Sequence, residues 1–357
     1  MPKVRLSGKV AGAEDPARST RAKLLYLLFS RGWDVYNGNG DQRITLSNIE
    51  RKIIESDAFV FTPGVTLEDM FKAISIFVGY QTLDRHLAGK PTVLLNPDGG
   101  WNPFFEVLGH LRRMGTIAQD YRRFLHEAGD DEAVVSTLES VRHHGVPDAG
   151  RTKLETRPTS LDSFERPLPS GHEGNVCVFC SASLSDPGHL SDGETFGRRL
   201  AQNRLGCVSG AGRSGIMGAV VKGSVEAGGW TGGSNVPHII ELEGLPEGLS
   251  SFWLKPDIYT RMEIMIQSSD AFVVFPGGAG TVQELLALMI FKQQLNPLML
   301  GKPVVIYNRR TAEGGGFWDP MIGLLREFCR PGDFEVAESL DEILPAVARG
   351  MTRRAVA

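Results

Sequence analysis

Cysteine is scarce in this chain, with four in 357 residues. Three of them, Cys177, Cys180 and Cys207, fall in apolar runs. Cys177-Val-Phe-Cys180 has CxxC spacing, but no second ligand pair accompanies it, so these read as reduced core thiols rather than a metal or redox site. Cys329 stands near the end of a predicted helix. A disulfide framework is excluded and a reducing, cytoplasmic setting is expected. Charge of one sign is also lacking: 38 Lys and Arg face 42 Asp and Glu, a net charge of −4. Nothing favours a non-specific polyanion or membrane surface, so neither nucleic acid nor membrane is expected as a partner. Arg112-Arg113 and Arg122-Arg123 read as a solvated helical face, with an anion site for a regulatory nucleotide as the alternative. No stretch approaches the roughly 20 apolar residues of a membrane span. The first residues, Met-Pro-Lys-Val-Arg-Leu-Ser-Gly, show no apolar core of a secretory signal. His143-His144 have only Glu139 at ligand-like spacing and no cysteine companion, so they read as solvated and no metal is expected.

What the chain does have is a plan written twice. Glu55-Ser-Asp-Ala-Phe-Val-Phe-Thr-Pro-Gly64 parallels Ser268-Ser-Asp-Ala-Phe-Val-Val-Phe-Pro-Gly277. Gly89-Lys-Pro-Thr-Val-Leu-Leu-Asn96 parallels Gly301-Lys-Pro-Val-Val-Ile-Tyr-Asn308, and Trp101-Asn-Pro103 parallels Trp318-Asp-Pro320. Earlier, Asp34-Val-Tyr-Asn-Gly-Asn-Gly40 parallels Gly206-Cys-Val-Ser-Gly-Ala-Gly212. Collinear matches of this kind indicate an internal duplication. Residues 149–174 lose periodicity and gather Pro158, Pro167, Pro169, Gly171 and Gly174, which is linker composition. The expected organisation is therefore a degenerate domain at 1–148, a linker at 149–174 and a functional domain at 175–357. Each half alternates short apolar strands with amphipathic helices. The fold class is α/β: two tandem Rossmann-like domains, each a parallel sheet covered by helices, the first reduced.

In the second half the pattern predicts strands near 175–180, 205–209, 230–235, 271–275 and 303–307. It predicts helices near 192–203, 214–227, 257–268, 281–294 and 317–328. Residues 236–256 read as a variable loop able to form a lid or a base pocket. Parallel sheets of this type bind ligands at the carboxyl ends of their strands. Ser181-Ala-Ser183, Ser209 to Gly212, and Pro276 to Thr281 all fall there. Between its glycine motifs the first half is much shorter, with 17 positions from Gly40 to Asp57 against 58 from Gly212 to Asp270. About one strand and one helix are expected to be missing. Its turn is reduced to Pro63-Gly-Val-Thr66, an acid survives at Glu68 or Asp69, and Asn48 takes the slot of Arg261. The first half is expected to bind no phosphate by this route.

The most informative segment is Asp270-Ala-Phe-Val-Val-Phe-Pro-Gly-Gly-Ala-Gly-Thr-Val-Gln-Glu284. A strand, a glycine turn and a helix start present backbone N–H groups and the positive end of a helix dipole to an anion. Gly277, Gly278 and Gly280 admit a phosphate where a Cβ would collide. Glu284, one turn on, brings a carboxylate to the same mouth. Thr281-x-x-Glu284 is equally a helix capping box, in which both side chains only satisfy orphan N–H groups.

Pro276 to Glu284 meets in full the motif Pro-Gly-Gly-x-Gly-Thr-x-x-Glu of the LOG-like family of nucleoside 5′-monophosphate phosphoribohydrolases, once labelled lysine decarboxylases. Gly210-Ala-Gly-Arg-Ser-Gly-Ile-Met-Gly218 resembles its second motif, with Ala211 for a glycine and Ile216 for a leucine. Val176-Cys-Val-Phe-Cys-Ser-Ala-Ser183 resembles its opening strand. The resemblance covers about 175–330. The family's Arg-Lys-x-x-Met reads Arg261-Met-Glu-Ile-Met265 here, keeping the arginine 23 positions before Glu284 and replacing the lysine by Met262.

The resemblance implies that Arg261 and Glu284 are catalytic. It implies that Gly277, Gly278, Gly280 and Thr281 grip a 5′-phosphate, and that Ser183, Ser209, Gly210, Gly212, Arg213 and Met217 enclose the nucleotide. The implied reaction is hydrolysis of the N-glycosidic bond of an AMP-like or cytokinin nucleoside monophosphate, with no cofactor. An oxocarbenium-like state makes the nearby carboxylate useful, and Arg261 could fix it through a bidentate contact. A decarboxylase would need a Schiff-base lysine; Lys292 and Lys302 read as surface or turn residues. The alternative function is a non-catalytic nucleotide sensor or a molybdenum cofactor carrier, since fold alone does not decide. The assembly implied is a homodimer or an intramolecular pseudo-dimer of the two halves.

Overall fold

A computed structural model describes residues 1–8, 16–37, 46–82, 90–118, 120–144, 161–312 and 314–356. The chain divides into two compact units, Met1–Leu154 and Glu155–Ala357. Among the described residues no helix is long and apolar enough to cross a membrane.

The first unit runs β1 (Lys3–Ser7), α1 (Pro16–Ser30), β2 (Asp34–Asn37), α2 (Leu46–Ile54), β3 (Ala58–Phe61), α3 (Leu67–Thr82), β4 (Thr92–Leu95), α4 (Asn102–Arg113), β5 (Leu125–Ala128) and α5 (Asp131–His144). Its sheet is parallel throughout, in the order β2-β1-β3-β4-β5. Val4, Leu6, Ala58, Val60, Val93 and Leu95 alternate onto one face and pack with Leu24, Leu28, Val134 and Leu138. The period of two sends them all to the same side of the pleat. Arg112, Arg113 and Arg122 are exposed and line one cavity with Asn102, Tyr121 and Glu127, and Arg112 pairs with Asp120 at 3.0 Å.

The second unit continues with β6 (Gly174–Phe179), α6 (Pro187–Gln202), β7 (Leu205–Ser209), α7 (Gly215–Glu226), β8 (Thr231–Asn235), α8 (Pro237–Glu243), β9 (Ser251–Leu254), α9 (Ile258–Gln267), β10 (Ala271–Val274), α10 (Ala279–Gln293), β11 (Val304–Tyr307), α11 (Asp319–Phe328), β12 (Glu335–Ala337) and α12 (Leu340–Val356). Its seven strands are parallel in the order β12-β11-β10-β6-β7-β8-β9. Val176, Val178, Ala271, Val273 and Val305 build the core with Phe196, Leu200, Ile343 and Val347. Cys177, Cys180 and Cys207 are buried free thiols, and burial pushes each well above the usual thiol range.

The duplication is visible bond by bond. Strands β7-β6-β10-β11-β12 repeat the order β2-β1-β3-β4-β5. Asp57 N–H donates to Lys3 O at 2.8 Å, as Asp270 N–H does to Asn175 O at 2.8 Å. Asn96 Oδ1 accepts from Trp101 N–H at 2.9 Å, and Asn308 Oδ1 from Trp318 N–H at 2.7 Å. The lysine of each Gly-Lys-Pro caps carbonyls near the end of the helix one strand and one helix earlier: Lys90 reaches Ile53 O and Ile54 O on α2, and Lys302 reaches Ile266 O on α9 at 2.9 Å. Lys302 is thus buried, at 6% exposure, and is not the surface residue expected from its turn position.

Three expectations are corrected. Between β7 and β10 the second unit holds α7, β8, α8, β9 and α9, whereas only α2 lies between β2 and β3 among the described residues. The first unit therefore lacks two strands and two helices, not one of each. The segment 236–256 is no open loop: it folds into α8 and the edge strand β9. Part of the expected linker is also structured. Phe164 pairs with Phe252 in an antiparallel bridge on β9, with N–H···O distances of 3.0 and 2.7 Å. Residues 149–160, Gly38-Asn-Gly40 and the side chains of Asn48, His143 and His144 lie outside what is described.

The matched asparagines generate a test. Asn308→Ala and Asn96→Ala each leave a buried tryptophan N–H without its acceptor, which costs about 1–3 kcal/mol. Urea denaturation should show similar losses in both variants. A loss at only one position would mean the two asparagines do not share a role.

Candidate active site

Three loops meet at the carboxyl ends of β6, β7 and β10, and one residue ties them together. Ser181 N–H donates to Pro276 O at 3.1 Å, while Ser181 O accepts from Met217 N–H at 3.1 Å. Its hydroxyl accepts from Ser183 N–H and Leu184 N–H at 3.0 and 2.9 Å. The β6 loop is thus bonded to both glycine loops. The sequence placed Ser181 at this strand end but gave it no role of its own, because a serine after a strand carries no distinctive signal.

The β10 loop turns directly into α10. Gly278 is the N-cap residue, and no side chain bonds the helix start. Thr281 therefore lies in the first turn and Glu284 a turn deeper, so the capping-box reading fails. Nearby, Val282 N–H is already bonded to Gly278 O at 3.0 Å. The N–H groups before it have no intrahelical partner and point out of the helix end. A Cβ at Gly277 would lie 2.1 Å from Thr281 Oγ1, so only glycine fits beside that side chain. At Gly280 no heavy atom of the described residues lies within 4 Å of the same position. Gly277 is needed for the loop to fold, whereas Gly280 leaves open space.

Arg261 enters from α9, whose N-cap Asp257 bonds Tyr259 N–H and Thr260 N–H. The guanidinium is 9% exposed and donates from Nε to Ser234 O at 2.9 Å and from Nη2 to Gly210 O at 3.4 Å. Its Nη2 stands 3.8 Å from Glu284 Oε1. This is a buried ion pair at the outer limit of contact, not the bidentate clamp expected. Backbone carbonyls hold the arginine, and the carboxylate keeps oxygen lone pairs free. Burial pushes the Glu284 carboxyl up to about 7, against the pull of Arg261 and assisted by the charge of Glu243.

The β7 loop explains its glycines by close approach. A Cβ at Gly210 would lie 2.0 Å from Arg261 Nη2, and one at Gly212 would lie 2.7 Å from Glu243 Oε2. Ala211 has φ +54°, the left-handed conformation for which the related motif carries glycine. Its methyl packs in a small core with Val221, Leu249 and Phe252, which offsets part of the strain. Ser209 is fully buried and its hydroxyl accepts from Ala211 N–H at 3.2 Å. Met217 is buried too, with Gly212 N–H at 3.0 Å from its sulfur. Both support the turn from below. Ser183 and Arg213 are exposed at the rim, and Met262, in the slot of the related lysine, is buried in α9. The structure thus gathers Arg261, Glu284, Gly210, Gly212, Gly277 and Thr281 tightly. Glu243 joins them unannounced, because its acid lay in a stretch read as loop.

The corresponding helix start in the first unit is built differently. Thr66 Oγ1 accepts from Asp69 N–H at 3.1 Å, and Asp69 Oδ2 accepts from Thr66 N–H at 3.1 Å. This is the reciprocal capping box that α10 lacks. The surviving acid, Asp69, also accepts from Ser7 Oγ at 2.5 Å. Counted from the helix start, Lys72 holds the place of Glu284; it is buried and pairs with Glu68 at 2.7 Å.

The family described as "Possible lysine decarboxylase" matches residues 217–347. The cytokinin riboside 5′-monophosphate phosphoribohydrolase of Rhodococcoides fascians is 30% identical over 160 residues, 42% of this chain and 73% of that protein. An Oryza sativa subsp. japonica protein named "Probable cytokinin riboside 5′-monophosphate phosphoribohydrolase" is 32% identical over 190 residues, 49% of this chain and 76% of its own. An Arabidopsis thaliana protein of that activity is 34% identical over 119 residues, 33% and 52% of the two chains. Among solved structures, the Moco carrier protein of Chlamydomonas reinhardtii aligns with a TM-score of 0.39 at 20% identity, over 50% of this chain and 98% of its own. The molybdenum cofactor binding protein of Rippkaea orientalis aligns with a TM-score of 0.39 at 19% identity, over 50% and 98%.

The two loop glycines separate folding from binding. Gly277→Ala should destabilise by about 1–3 kcal/mol through the clash with Thr281. Gly280→Ala, in helical backbone with open space around it, should be neutral or slightly stabilising. Thermal denaturation checks both, and a large loss at Gly280 would refute the open space.

Proposed function

The chain belongs to the LOG-like family, which includes the phosphoribohydrolases just named, and from that membership we propose that its second unit hydrolyses the N-glycosidic bond of a purine nucleoside 5′-monophosphate. The products are free base and ribose 5-phosphate. Catalysis is assigned to residues 175–357, and the first unit is assigned a structural or regulatory role. One observation carries the reading: a buried carboxyl held near pKa 7 stands 3.8 Å from a buried guanidinium at the mouth of an uncapped helix.

The chemistry follows from those groups. The 5′-phosphate sits against the free N–H groups of α10, with the Thr281 hydroxyl as a further donor. This grip lies away from the reacting bond and supplies binding energy that orients the sugar. As the C1′–N bond breaks, its electron pair leaves with the base and positive charge develops on the ribose ring. Glu284, ionised, stabilises that charge, orients the water that adds to C1′ and takes up the proton that water loses, while the departing base nitrogen takes a proton from solvent. Arg261, fixed by Ser234 O and Gly210 O, keeps the carboxylate in place and offers its remaining N–H groups to a ribose hydroxyl or the phosphate. Lys302 is committed to Ile266 O, so it is no candidate for the Schiff base of a decarboxylase.

The test is chromatographic. Purified protein is incubated with AMP, GMP, CMP, UMP and isopentenyl-AMP, beside Glu284→Gln. Base should be released from a purine monophosphate, and the variant should lose at least about a hundredfold. Because the Glu284 pKa is raised to about 7, the carboxylate form is lost as pH falls through that value. The value of kcat/KM should therefore drop about tenfold per unit well below pH 7. Tight nucleotide binding with no base from any substrate would move the chain to the sensor or carrier class.

A further inference from the structure

Glu243 ends α8, and Gly244 stops the helix there with φ +69° and its N–H on Ile240 O at 2.8 Å. A helix C-terminus is the wrong end for a carboxylate, since the dipole places negative charge there already. Glu243 is nonetheless half-buried, and among the described residues no hydrogen bond or ion pair answers it. Its Oε2 lies over the Gly210–Gly212 turn, 2.7 Å from where a Cβ of Gly212 would be. Arg261 Nη2 reaches the same turn at Gly210 O. Burial raises the Glu243 carboxyl above its ordinary value while Arg261 pulls it back; this placement costs the fold stability, so a purely structural role leaves it unexplained.

Resting on the hydrolase reading above, we infer that Glu243 is a positioning residue of the site: it shares the single guanidinium of Arg261 with Glu284 and thereby sets how readily Glu284 accepts a proton. The charged and titratable groups facing Glu284 are few. Arg261 comes from α9 and Glu243 from α8, while the Cys177 and Cys180 thiols of the β6 segment are held neutral by burial. Arg213 lies against Gly244 at the rim, its Nε 2.7 Å from a would-be Cβ there. One guanidinium therefore serves two carboxyl groups. The charge of Glu243 opposes ionisation of Glu284, which Arg261 alone would favour. Burial and Glu243 together bring the carboxyl into a range where it exchanges protons at neutral pH. Gly212 belongs to the same device, because any side chain there would displace the Glu243 carboxylate.

The decisive measurement follows the Glu284 carboxyl carbon by NMR titration of protein labelled with 13C at glutamate δ-carbons, with Glu284→Gln used to assign the resonance. In Glu243→Gln the midpoint should fall by about one pH unit, making Glu284 about tenfold more ionised at pH 6. Glu241→Gln, on the exposed side of α8, should leave it unchanged. If Glu243→Gln folds poorly, Glu243→Ala serves instead, and the same fall in the midpoint is expected because the charge is removed there too. An unchanged midpoint in a folded Glu243→Gln would overturn the inference. Where base release is found, the acid limb of kcat/KM should shift by the same amount; a uniform loss at every pH would mark Glu243 as merely structural. The titration needs no substrate, so its outcome stands apart from any failure of the hydrolase reading.

Discussion

A guanidinium withdrawn from water has to be answered by protein oxygens, and the crevice of the second sheet is arranged around that demand at Arg261. Two of the oxygens are carbonyls, at the end of β8 and just after β7. They cannot move without the strands themselves. The third is the Glu284 carboxylate on α10. One side chain therefore ties β7, β8 and α10 into a single geometry, with α9 supplying the tether. The glycine at 210 exists because the guanidinium occupies the space a side chain would need. A loose contact to Glu284 belongs to the same arrangement: two firm carbonyl bonds hold the arginine, so the carboxylate is positioned without being fully neutralised. An isolated buried pair at bidentate range would have its carboxyl pulled well below neutral pH.

Much of this was legible in the sequence. The alternation of apolar runs with amphipathic stretches placed the main strands and helices of the second unit to within a few residues, because periodicity reports burial directly. The glycine-rich turn after β10 and the spacing from Arg261 to Glu284 marked the crevice. Strand β9 and helix α8 were not legible. Ser251-Phe-Trp-Leu is only four residues long and lies at a sheet edge, where one flank needs no apolar partner. His238-Ile-Ile-Glu-Leu-Glu243 is one short amphipathic turn and a half, too brief for periodicity to register. Glu243 was hidden with them. The capping-box alternative at Thr281 was undecidable from spacing, since only the position of the helix start separates the two readings.

The two copies show how far the same scaffold diverges at one helix start. In the first unit the helix after β3 is capped by Thr66 and Asp69, and the place of the buried acid is taken by a lysine with its own partners. In the second unit the equivalent helix is uncapped, its acid is incompletely paired, and Ala211 holds a left-handed backbone. The strain collects at one crevice while the shared framework, down to the matched asparagine and lysine bonds, stays intact.

The bare start of α10 has a consequence for how ligand and local order are linked. The capping residue there, Gly278, brings no side chain to the helix end, and Gly277 before it leaves the space that the Thr281 side chain occupies. An anion bound at such an end takes the place of the missing cap and completes the secondary structure. Occupancy and local order would then be one event, and the second unit would gain stability by mass action with whatever anion fills that end.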